Sequence, residues 1–199
     1  MDKKENGPKY MRTAHIGFDP GKDGFITVFI DNGFHFFAMP THKVETGEVL
    51  KSGKMKTKTE FHEEGLLRLV VEIKQLVSGA KVKACIEQVG GRGGWSATNN
   101  FNFGYTAGLQ KFMMMLLRAE ITMVRPQKWQ SAVRQGYQSI KKPSSTGRTM
   151  IDDPKAIAEM IVNTEYPNID FRKTERSKVN HDGKIDSFLI CLFSIRSNP

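Results

Sequence analysis

The stretch "IGFDPGKDGFITVFIDNGFHFFAM", residues 16–39, decides how the chain begins its fold. Three short apolar runs in and beside it, "HIGFD", "GFITVFI" and "FHFFAM", are each typical of a strand. The second and third runs are joined by Asp31, Asn32 and Gly33, and Asn-Gly between apolar runs is a strong hairpin signal. Three antiparallel strands are therefore predicted, and the first of them ends on a carboxylate, Asp19.

Helix and strand patterns alternate after these strands. Residues 41–59 are polar and rich in Lys and Thr, which predicts an exposed loop. Thr57 and Glu60 have the spacing of a capping box. The helix that follows has an apolar stripe made of Leu66, Leu69, Val70, Ile73, Leu76 and Val77. "KVKACIEQV" then predicts a fourth strand, and it too ends on a carboxylate, Glu87.

The second half of the chain continues this alternation. A Gly-rich turn, "GGRGGWSATNN", carries Arg92 and Trp95 and leads into a second helix. "ITMV" predicts a fifth strand, and Pro126 suits the first turn of the next helix. Residues 134–150 are rich in Gly, Ser and Lys, which predicts a mobile segment. Asp153, followed by proline, is expected to cap another helix, and a last helix begins near "HDGKIDSFLICLF".

This order of elements predicts an α/β protein. Its sheet has five strands, three antiparallel and then parallel ones, with helices on both faces, because parallel strands need helical crossovers. The chain has 199 residues and no internal repeat, so we expect a single domain at 14–199 after a flexible arm at 1–13. Cys85 and Cys191 lie in apolar runs without a CxxC motif and are expected to be reduced core residues.

Composition limits the classes of function. Apolar residues make up 39% of the chain and charged ones 26%, as in globular proteins. No apolar stretch approaches the roughly 20 residues of a membrane span, and the amino terminus lacks the apolar core of a signal peptide. We therefore expect an intracellular, cytoplasmic protein. The net charge of +9 favours a polyanionic partner, with a solvated basic surface as the alternative.

Carboxylates occur where apolar residues are expected. Positions 182, 186, 189 and 193 share one face of the last helix, and that face carries Asp182 and Asp186 beside a Leu and a Phe. Unpaired inward charges are costly, and Asp19 and Glu87 end strands of the sheet that this helix must cover. Together the four make up to four oxygen ligands, which suits Mg²⁺ or Mn²⁺ and not Zn²⁺.

Structural roles are the alternative for three of these carboxylates. Asp19 suits backbone hydrogen bonds in the Pro-Gly turn, Glu87 suits a pair with Arg92 or a nearby Lys, and Asp182 suits a helix N-cap. Asp186, in the middle of the stripe, is the hardest to explain structurally.

Elsewhere, residues 112–115 are apolar nearly all round their helix, which fits either a dimer contact or a deep core helix.

Five motifs resemble those of RuvC-type Holliday junction resolvases, and phage-encoded members in particular. In order they are "IGFDPGKDG", "CIEQV", "FNFGYTAGL", "VRPQKWQ" and "DGKIDSFLI". The similarity spans about residues 14–195, and the first, second and last motifs are the specific ones. It implies a ribonuclease H-like fold, a homodimer, and Mg²⁺-dependent nicking of two symmetry-related strands at a four-way DNA junction, with Mn²⁺ as a substitute ion.

The resemblance also implies roles for individual residues. Those matched to the catalytic metal ligands of the family are Asp19, Glu87, Asp182 and Asp186. The best-known members place the last two ligands three apart, whereas here they lie four apart, so His181 is an alternative to Asp182. The residues expected to contact DNA are Arg92, Trp95, Lys141 and Lys142. The lysines at 51–58, Arg134 and Arg148 are further candidates for phosphate contacts, with solvated charges as the alternative. Trp95 is the expected aromatic wedge that opens the junction, with Phe101 or Phe103 as alternatives.

The implied chemistry is two-metal hydrolysis. It needs no covalent nucleophile or nucleotide cofactor, and it leaves a 5′ phosphate and a 3′ hydroxyl. "DPGKDG" also resembles the phosphate turn of actin-like ATPases, but 199 residues without a repeat lack the second half that clamps ATP. The same residues also fit a ribonuclease H-like nuclease acting on other branched DNA or on RNA–DNA hybrids, and they fit a non-catalytic junction-binding module.

Overall fold

The computed structural model of the protein describes residues 12–197 apart from 89, 91–93 and 95. In chain order, its strands and helices are β1 (Thr13–Phe18), β2 (Phe25–Ile30), β3 (Gly33–Ala38), β4 (Thr41–Val49), β5 (Met55–Phe61), α1 (Glu63–Leu76), β6 (Lys81–Glu87), α2 (Ala97–Leu116), β7 (Glu120–Val124), α3 (Pro126–Arg134), β8 (Lys141–Pro143), β9 (Met150–Asp152), α4 (Pro154–Glu165) and α5 (Asp182–Ser197). Most of the predicted arm, residues 1–11, lies outside the described residues.

Five strands form the central sheet in the order β3, β2, β1, β6, β7. Strands β1, β2 and β3 are antiparallel, and the predicted turn between the last two has positive φ angles at Asp31 (51°) and Asn32 (62°). Strand β6 runs parallel to β1, and β7 runs parallel to β6. The predicted fold class, an α/β fold with a five-stranded mixed sheet of three antiparallel and then parallel strands, is therefore confirmed by this topology.

Helices cover both faces of the sheet. On one face, α1 and α2 pack against the even-numbered residues of β1, namely Ala14, Ile16 and Phe18. Helices α3, α4 and α5 share the second core, on the opposite face. Because side chains alternate along a strand, the odd-numbered positions of β1 face α5. Asp19, which directly follows β1, continues this odd series.

Helix α5 approaches β1 very closely, and Gly17 makes the approach possible. A Cβ atom at Gly17 would lie 2.1 Å from the carbonyl oxygen of Ser187 and 2.2 Å from the backbone nitrogen of Cys191. Any side chain larger than hydrogen would therefore push helix and strand apart. The absence of a side chain at this one position sets the distance between the helix and the sheet.

Buried polar contacts add to the packing of α5 on the sheet. The hydroxyls of Thr27 and Ser187 are 2.8 Å apart, and Nδ1 of His15 lies 3.2 Å from Oγ of Ser194. The thiol of Cys191 donates to the carbonyl of His15 over 3.3 Å. Helix α5 is buried on nearly all sides, so an apolar stripe alone would not fix its rotation. These polar pairs fix the rotation of α5, because turning the helix would leave buried polar groups without hydrogen-bond partners, which costs free energy.

Two segments that were expected to be irregular are hairpins instead. Residues 41–59 belong to the two-stranded ribbon β4–β5, and most of them are exposed, as predicted. Residues 134–150 include strand β8, which pairs with β9. In the first segment, Thr and Val at alternating positions favour a strand, and the prediction gave too much weight to its lysines.

The predicted capping box is wrong. Thr57 and Glu60 lie in β5, and α1 begins only at Glu63. Its N-cap is His62, whose Nδ1 accepts a hydrogen bond of 2.9 Å from the N–H of Gly65. The predicted cap of α4 is confirmed, because the Asp153 side chain accepts from two backbone N–H groups.

In the described part of the chain, no helix has both the length and the apolar character of a membrane span.

Replacing Gly17 by Ala is expected to destabilise the fold by at least about 3 kcal/mol, because the new methyl group overlaps backbone atoms of α5. Gly108→Ala in α2 is the matched control. Among the described residues, no atom lies within 4 Å of a Cβ there, so better helix propensity should stabilise the protein by about 0.5–1 kcal/mol. Urea unfolding of both variants measures the difference, and equal effects would contradict the close approach at Gly17.

Candidate active site

Asp19 and Glu87 lie side by side at one end of the central sheet. Strands β1 and β6 are parallel neighbours in which Phe18 pairs with Ile86, so the next residue of each strand, Asp19 or Glu87, falls at the same level. Both occupy odd-numbered positions, on the face that α5 covers. Adjacent strands are about 4.8 Å apart, which places two carboxylates close together.

Helix α5 brings the other two predicted carboxylates to the same place. It begins at Asp182, and its first turn contacts the end of β1 at Gly183. A Cβ at Gly183 would lie 2.9 Å from Oδ2 of Asp19 and 2.7 Å from the carbonyl oxygen of Asp23. Gly183 thus leaves room for the Asp19 carboxylate beside the helix. One turn further on, Asp186 is half-buried beneath Asp182, which is exposed.

The charges at this edge repel one another. Burial, followed by the negative charges of Asp186, Glu87 and Asp182, holds the pKa of Asp19 well above its ordinary value. Burial, followed by the charges of Glu87 and Asp182, raises the pKa of Asp186 to about 7. The cations Lys155 and Arg134 oppose this rise only in part. All four predicted carboxylates therefore act on one another electrostatically.

Two of the carboxylates have a hydrogen-bond partner that the sequence did not predict. The indole N–H of Trp129 donates to Oε1 of Glu87 over 3.0 Å, and Trp129 itself is fully buried. Lys155 at the start of α4 forms an ion pair with Asp182. The structural alternative named for Asp182, a helix N-cap, is thus not the observed one, whereas the alternative for Glu87 involves Arg92, which lies outside the described residues. The first α5 hydrogen bonds end on the carbonyl of His181, which occupies the cap position.

Sequence reasoning missed Trp129, Lys155 and Gly183. Trp129 belongs to the "VRPQKWQ" motif, and a Trp in a short helix after a strand was a usable signal that a donor faces the strand end. Lys155 carried no signal, because a lysine in the first turn of a helix is ordinarily solvated. Gly183 interrupts the helix-forming residues between two aspartates, which points to a close approach of another group.

The donor set suits a hard divalent cation. Carboxylate oxygens are the preferred ligands of Mg²⁺ and Mn²⁺, and the raised pKa values of Asp19 and Asp186 express repulsion that such a cation would relieve. Within the described residues, however, no three His, Cys, Asp or Glu side chains are arranged tightly enough to hold a metal ion. The type and the charge of these side chains therefore suit a divalent cation. Their arrangement does not, since Asp182 forms an ion pair with Lys155.

His181, the alternative fourth ligand, has a different environment from the carboxylates. Its ring packs against Phe25 with 5.1 Å between ring centroids. Its Nδ1 atom is buried, and within the described residues it has no hydrogen-bond partner. Burial, followed by the charge of Lys173, lowers the pKa of His181, so the ring is neutral and keeps a lone pair that an added cation can accept.

The residues predicted to contact DNA fall into two groups. Arg92 and Trp95 lie outside the described residues. Lys141 pairs with Asp152 and Lys142 with Asp153 across and beside the hairpin β8–β9. Both lysines keep partly exposed side chains, but each already has a carboxylate partner. As groups for tracking phosphates, these two are therefore less available than an unpaired lysine.

The alternative wedge residues differ in exposure. Phe101, in the first turns of α2, is 73% exposed. Phe103 is half-buried and lies beside Glu87 and Gln88 in a surface groove. A base can stack only on an aromatic face that is accessible from solvent. Of the two, Phe101 therefore stays the better candidate for a base-stacking contact.

Comparisons with known proteins give limited results. The sequence matches no protein-family model, and it matches no curated protein. Among solved structures, "Thermus thermophilus RuvC structure" is 13% identical, with a TM-score of 0.43, over 92% of this chain and 96% of that chain. "T. thermophilus RuvC in complex with Holliday junction substrate" is 9% identical, with a TM-score of 0.44, over 93% of this chain and 96% of that one.

Asp186→Asn is expected to stabilise the metal-free protein at high pH. The pKa of Asp186 in the folded wild type, about 7, lies above the ordinary value of 3.8. The wild type therefore loses stability as the pH rises from the ordinary pKa to the folded pKa, because the ionised carboxylate is disfavoured in the folded state. The variant should therefore gain roughly 2–4 kcal/mol at pH 8 and little at pH 4. Unfolding by urea with a chelator present measures both. Asp23→Asn is the control: Asp23 pairs with Lys173, which lowers its pKa, so no gain is expected. A pH-independent effect of Asp186→Asn would contradict the shift.

Proposed function

We propose that this protein is a metal-dependent, structure-selective endodeoxyribonuclease that resolves four-way DNA junctions by paired nicks. Four mutually interacting carboxylates at one end of the sheet carry the proposal, because two of them resist ionisation until a cation neutralises the group. The choice of a junction as substrate is supported by the RuvC-type sequence motifs. The net charge of +9 agrees with a nucleic acid as partner.

The residues that would hold the metal are Asp19, Glu87, Asp182 and Asp186, with His181 next to them. When bound, divalent ions in such a set lower the pKa of an attacking water and stabilise the leaving 3′ oxygen. Asp19 is held in place by the close packing of Gly183. The Trp129 indole donates to Oε1 of Glu87 and so orients this carboxylate at the end of β6.

Lys155 and Arg134 are the cations of the site. Lys155 pairs with Asp182, and the charge of Asp186 raises its pKa further. Burial lowers the pKa of Arg134, and the nearby charges of Asp152 and Asp186 oppose this shift only in part. If Asp182 held a metal ion, the Lys155 ammonium would be available to a phosphate oxygen of the cleaved strand.

Covalent catalysis by cysteine does not fit this chain. Cys85 and Cys191 are both buried. Burial raises the pKa of the Cys85 thiol to about 12 and raises that of Cys191 as well, so neither is a thiolate at neutral pH. Direct attack by water on the phosphodiester is therefore the proposed reaction.

A homodimer is part of the proposal, since two symmetric nicks need two sites. Helix α2 contributes Met113 and Met114 to the core, while Phe112, Met115 and Leu116 on the same run are exposed. The run of residues 112–115 thus serves the core and the surface at once. Phe112 and Leu116 line a largely apolar groove of about 450 Å³ between α1 and α2. A second copy covering this exposed apolar surface explains its extent.

The first test is cleavage of a synthetic four-way junction and of its linear duplex in Mg²⁺. Glu87→Gln and Asp186→Asn should each reduce the rate by at least about 100-fold, because each removes a charge that holds the metal. Junction binding should persist. Asp23→Asn, an exposed carboxylate on the same loop as Asp19, should keep the wild-type rate. Calorimetry with Mg²⁺ alone should show heat that both inactive variants lose.

The outcomes separate the competing functions. Paired nicks in the junction alone, lost in both inactive variants, support the resolvase. Equal cutting of duplex and junction, or cutting of RNA–DNA hybrids instead, keeps the metal site but overturns junction resolution in favour of another nuclease. Binding of the junction without any cleavage in Mg²⁺ or Mn²⁺ favours the non-catalytic binding module.

Phe112→Glu is expected to weaken the dimer at least tenfold, because it places a charge in the proposed apolar contact. The matched control is Val179→Glu, which replaces another highly exposed apolar residue away from α2. Sedimentation at several protein concentrations measures both dissociation constants. A monomeric wild type, or a dimer that tolerates Phe112→Glu, would contradict the proposed contact.

A further inference from the structure

Residues 41–61, which we call the ribbon, form a two-stranded sheet of their own. Strands β4 and β5 pair with each other and join no other strand of the described chain. The inner end is anchored: Phe61 is buried in the core, and the N–H of His62 donates to the carbonyl of Pro40 over 3.0 Å. Lys22 also donates to the carbonyl of Thr59 over 2.6 Å.

The outer part of the ribbon is exposed on both faces. Every residue from 47 to 59 is exposed, and strands of seven to nine residues reach roughly 20–30 Å at about 3.3 Å per residue. A two-stranded ribbon without a core is only marginally stable in water. The length and exposure of this ribbon therefore point to a surface beyond the body of the protein that it contacts.

The tip of the ribbon is apolar. Val49 and Met55 are paired across the strands and are 64% and 39% exposed, and Leu50, which follows Val49, is 47% exposed. The turn is closed by two backbone hydrogen bonds of 2.8 Å, between Leu50 and Lys54 and between Gly53 and Leu50. The far end of the ribbon thus presents three large, exposed apolar side chains.

Lysines surround this apolar tip. The ribbon has five lysines against three glutamates, and two of those lysines, Lys56 and Lys58, are paired with Glu48 and Glu60. Within the described residues, Lys51 and Lys54 in the turn form no ion pair, and the turn contains no acidic residue. Of the three ribbon lysines without an ion pair among the described residues, Lys51 and Lys54 lie at the tip, and Lys43 lies nearer the inner end.

We propose that the ribbon is a second DNA contact, which grips a duplex arm at a distance from the carboxylate site. A two-stranded ribbon fits a DNA groove, and apolar side chains such as Leu and Met at the end of such an element can press between or against bases. Lys51 and Lys54 then contact the phosphates beside the groove. The inference rests on the proposed function, since it assumes that DNA is the substrate.

A nucleic acid fits the ribbon better than a protein does. A protein partner would match the apolar tip alone, whereas the two unpaired lysines beside it call for a polyanion. The groove between α1 and α2 differs in this respect, because its wall is formed mostly by apolar residues of two packed helices. The two exposed apolar surfaces therefore have separate occupants, with DNA at the ribbon.

The test measures DNA binding by fluorescence anisotropy in a chelator, so that cleavage plays no part. Lys51→Gln with Lys54→Gln should lower the slope of log affinity against log salt by about 1–2, because each phosphate contact contributes about 0.9. Leu50→Ser with Met55→Ser should weaken binding about five- to tenfold and leave that slope unchanged. Both should act on a 25-base-pair duplex as well as on a junction.

The matched control is Lys74→Gln with Lys81→Gln. These two lysines line a common surface groove at the start of β6, the end opposite to Glu87. Their loss should leave the slope close to that of the wild type. If the turn variants keep the wild-type affinity and slope, or if the control variants lose as much, the ribbon is not a DNA contact.

Cleavage and ribbon binding can fail separately. A protein that binds DNA through the ribbon but cuts nothing overturns the proposed nuclease and keeps this contact. A protein that cuts junctions normally when all four ribbon residues are changed, with unaltered affinity, overturns the contact and keeps the nuclease. If the turn variants change the sedimentation of the free protein instead of its DNA affinity, the tip is a protein contact and the inference is wrong.

Discussion

The close contact between β1 and α5 at Gly17 is the constraint on which the site depends. With hydrogen as the only side chain, the strand lies against the backbone of the helix at Ser187 and Cys191. The same geometry recurs nearer the start of the helix, where Gly183 lies against Asp19. Two glycines, one on the strand and one on the helix, therefore decide that two aspartates from opposite ends of the chain face each other.

This arrangement conflicts with stability. Burial and mutual repulsion raise the pKa values of Asp19 and Asp186, so ionising these carboxylates at neutral pH lowers the stability of the folded protein. Two apolar cores and the polar pairs of α5 offset this loss of stability. A cluster of like charges that lowers stability when no ligand is bound is typical of a functional site, because selection for stability alone would not bring like charges together.

The sequence predicted the central sheet and the positions of all four carboxylates, because strand ends and helical spacing are local patterns. The sequence could not predict the partners of these carboxylates. Lys155 and Trp129 reach Asp182 and Glu87 only through the packing of α3 and α4, which no periodicity encodes. The ribbon was missed for the opposite reason: its strand pattern is local, but its lysines made the segment look like a loop. Arg92 and Trp95, outside the described residues, stay predictions.

The α5 contacts also determine when the site forms during synthesis. Thr27 and Ser187 are 160 positions apart, and His15 and Ser194 are 179 apart. The first three strands are made before α5, and Asp186 follows them roughly ten seconds or more later at typical elongation rates. Until then Asp19 has no facing aspartate. A growing chain therefore carries no assembled carboxylate group, and the proposed nuclease becomes competent only when its first and last elements have met.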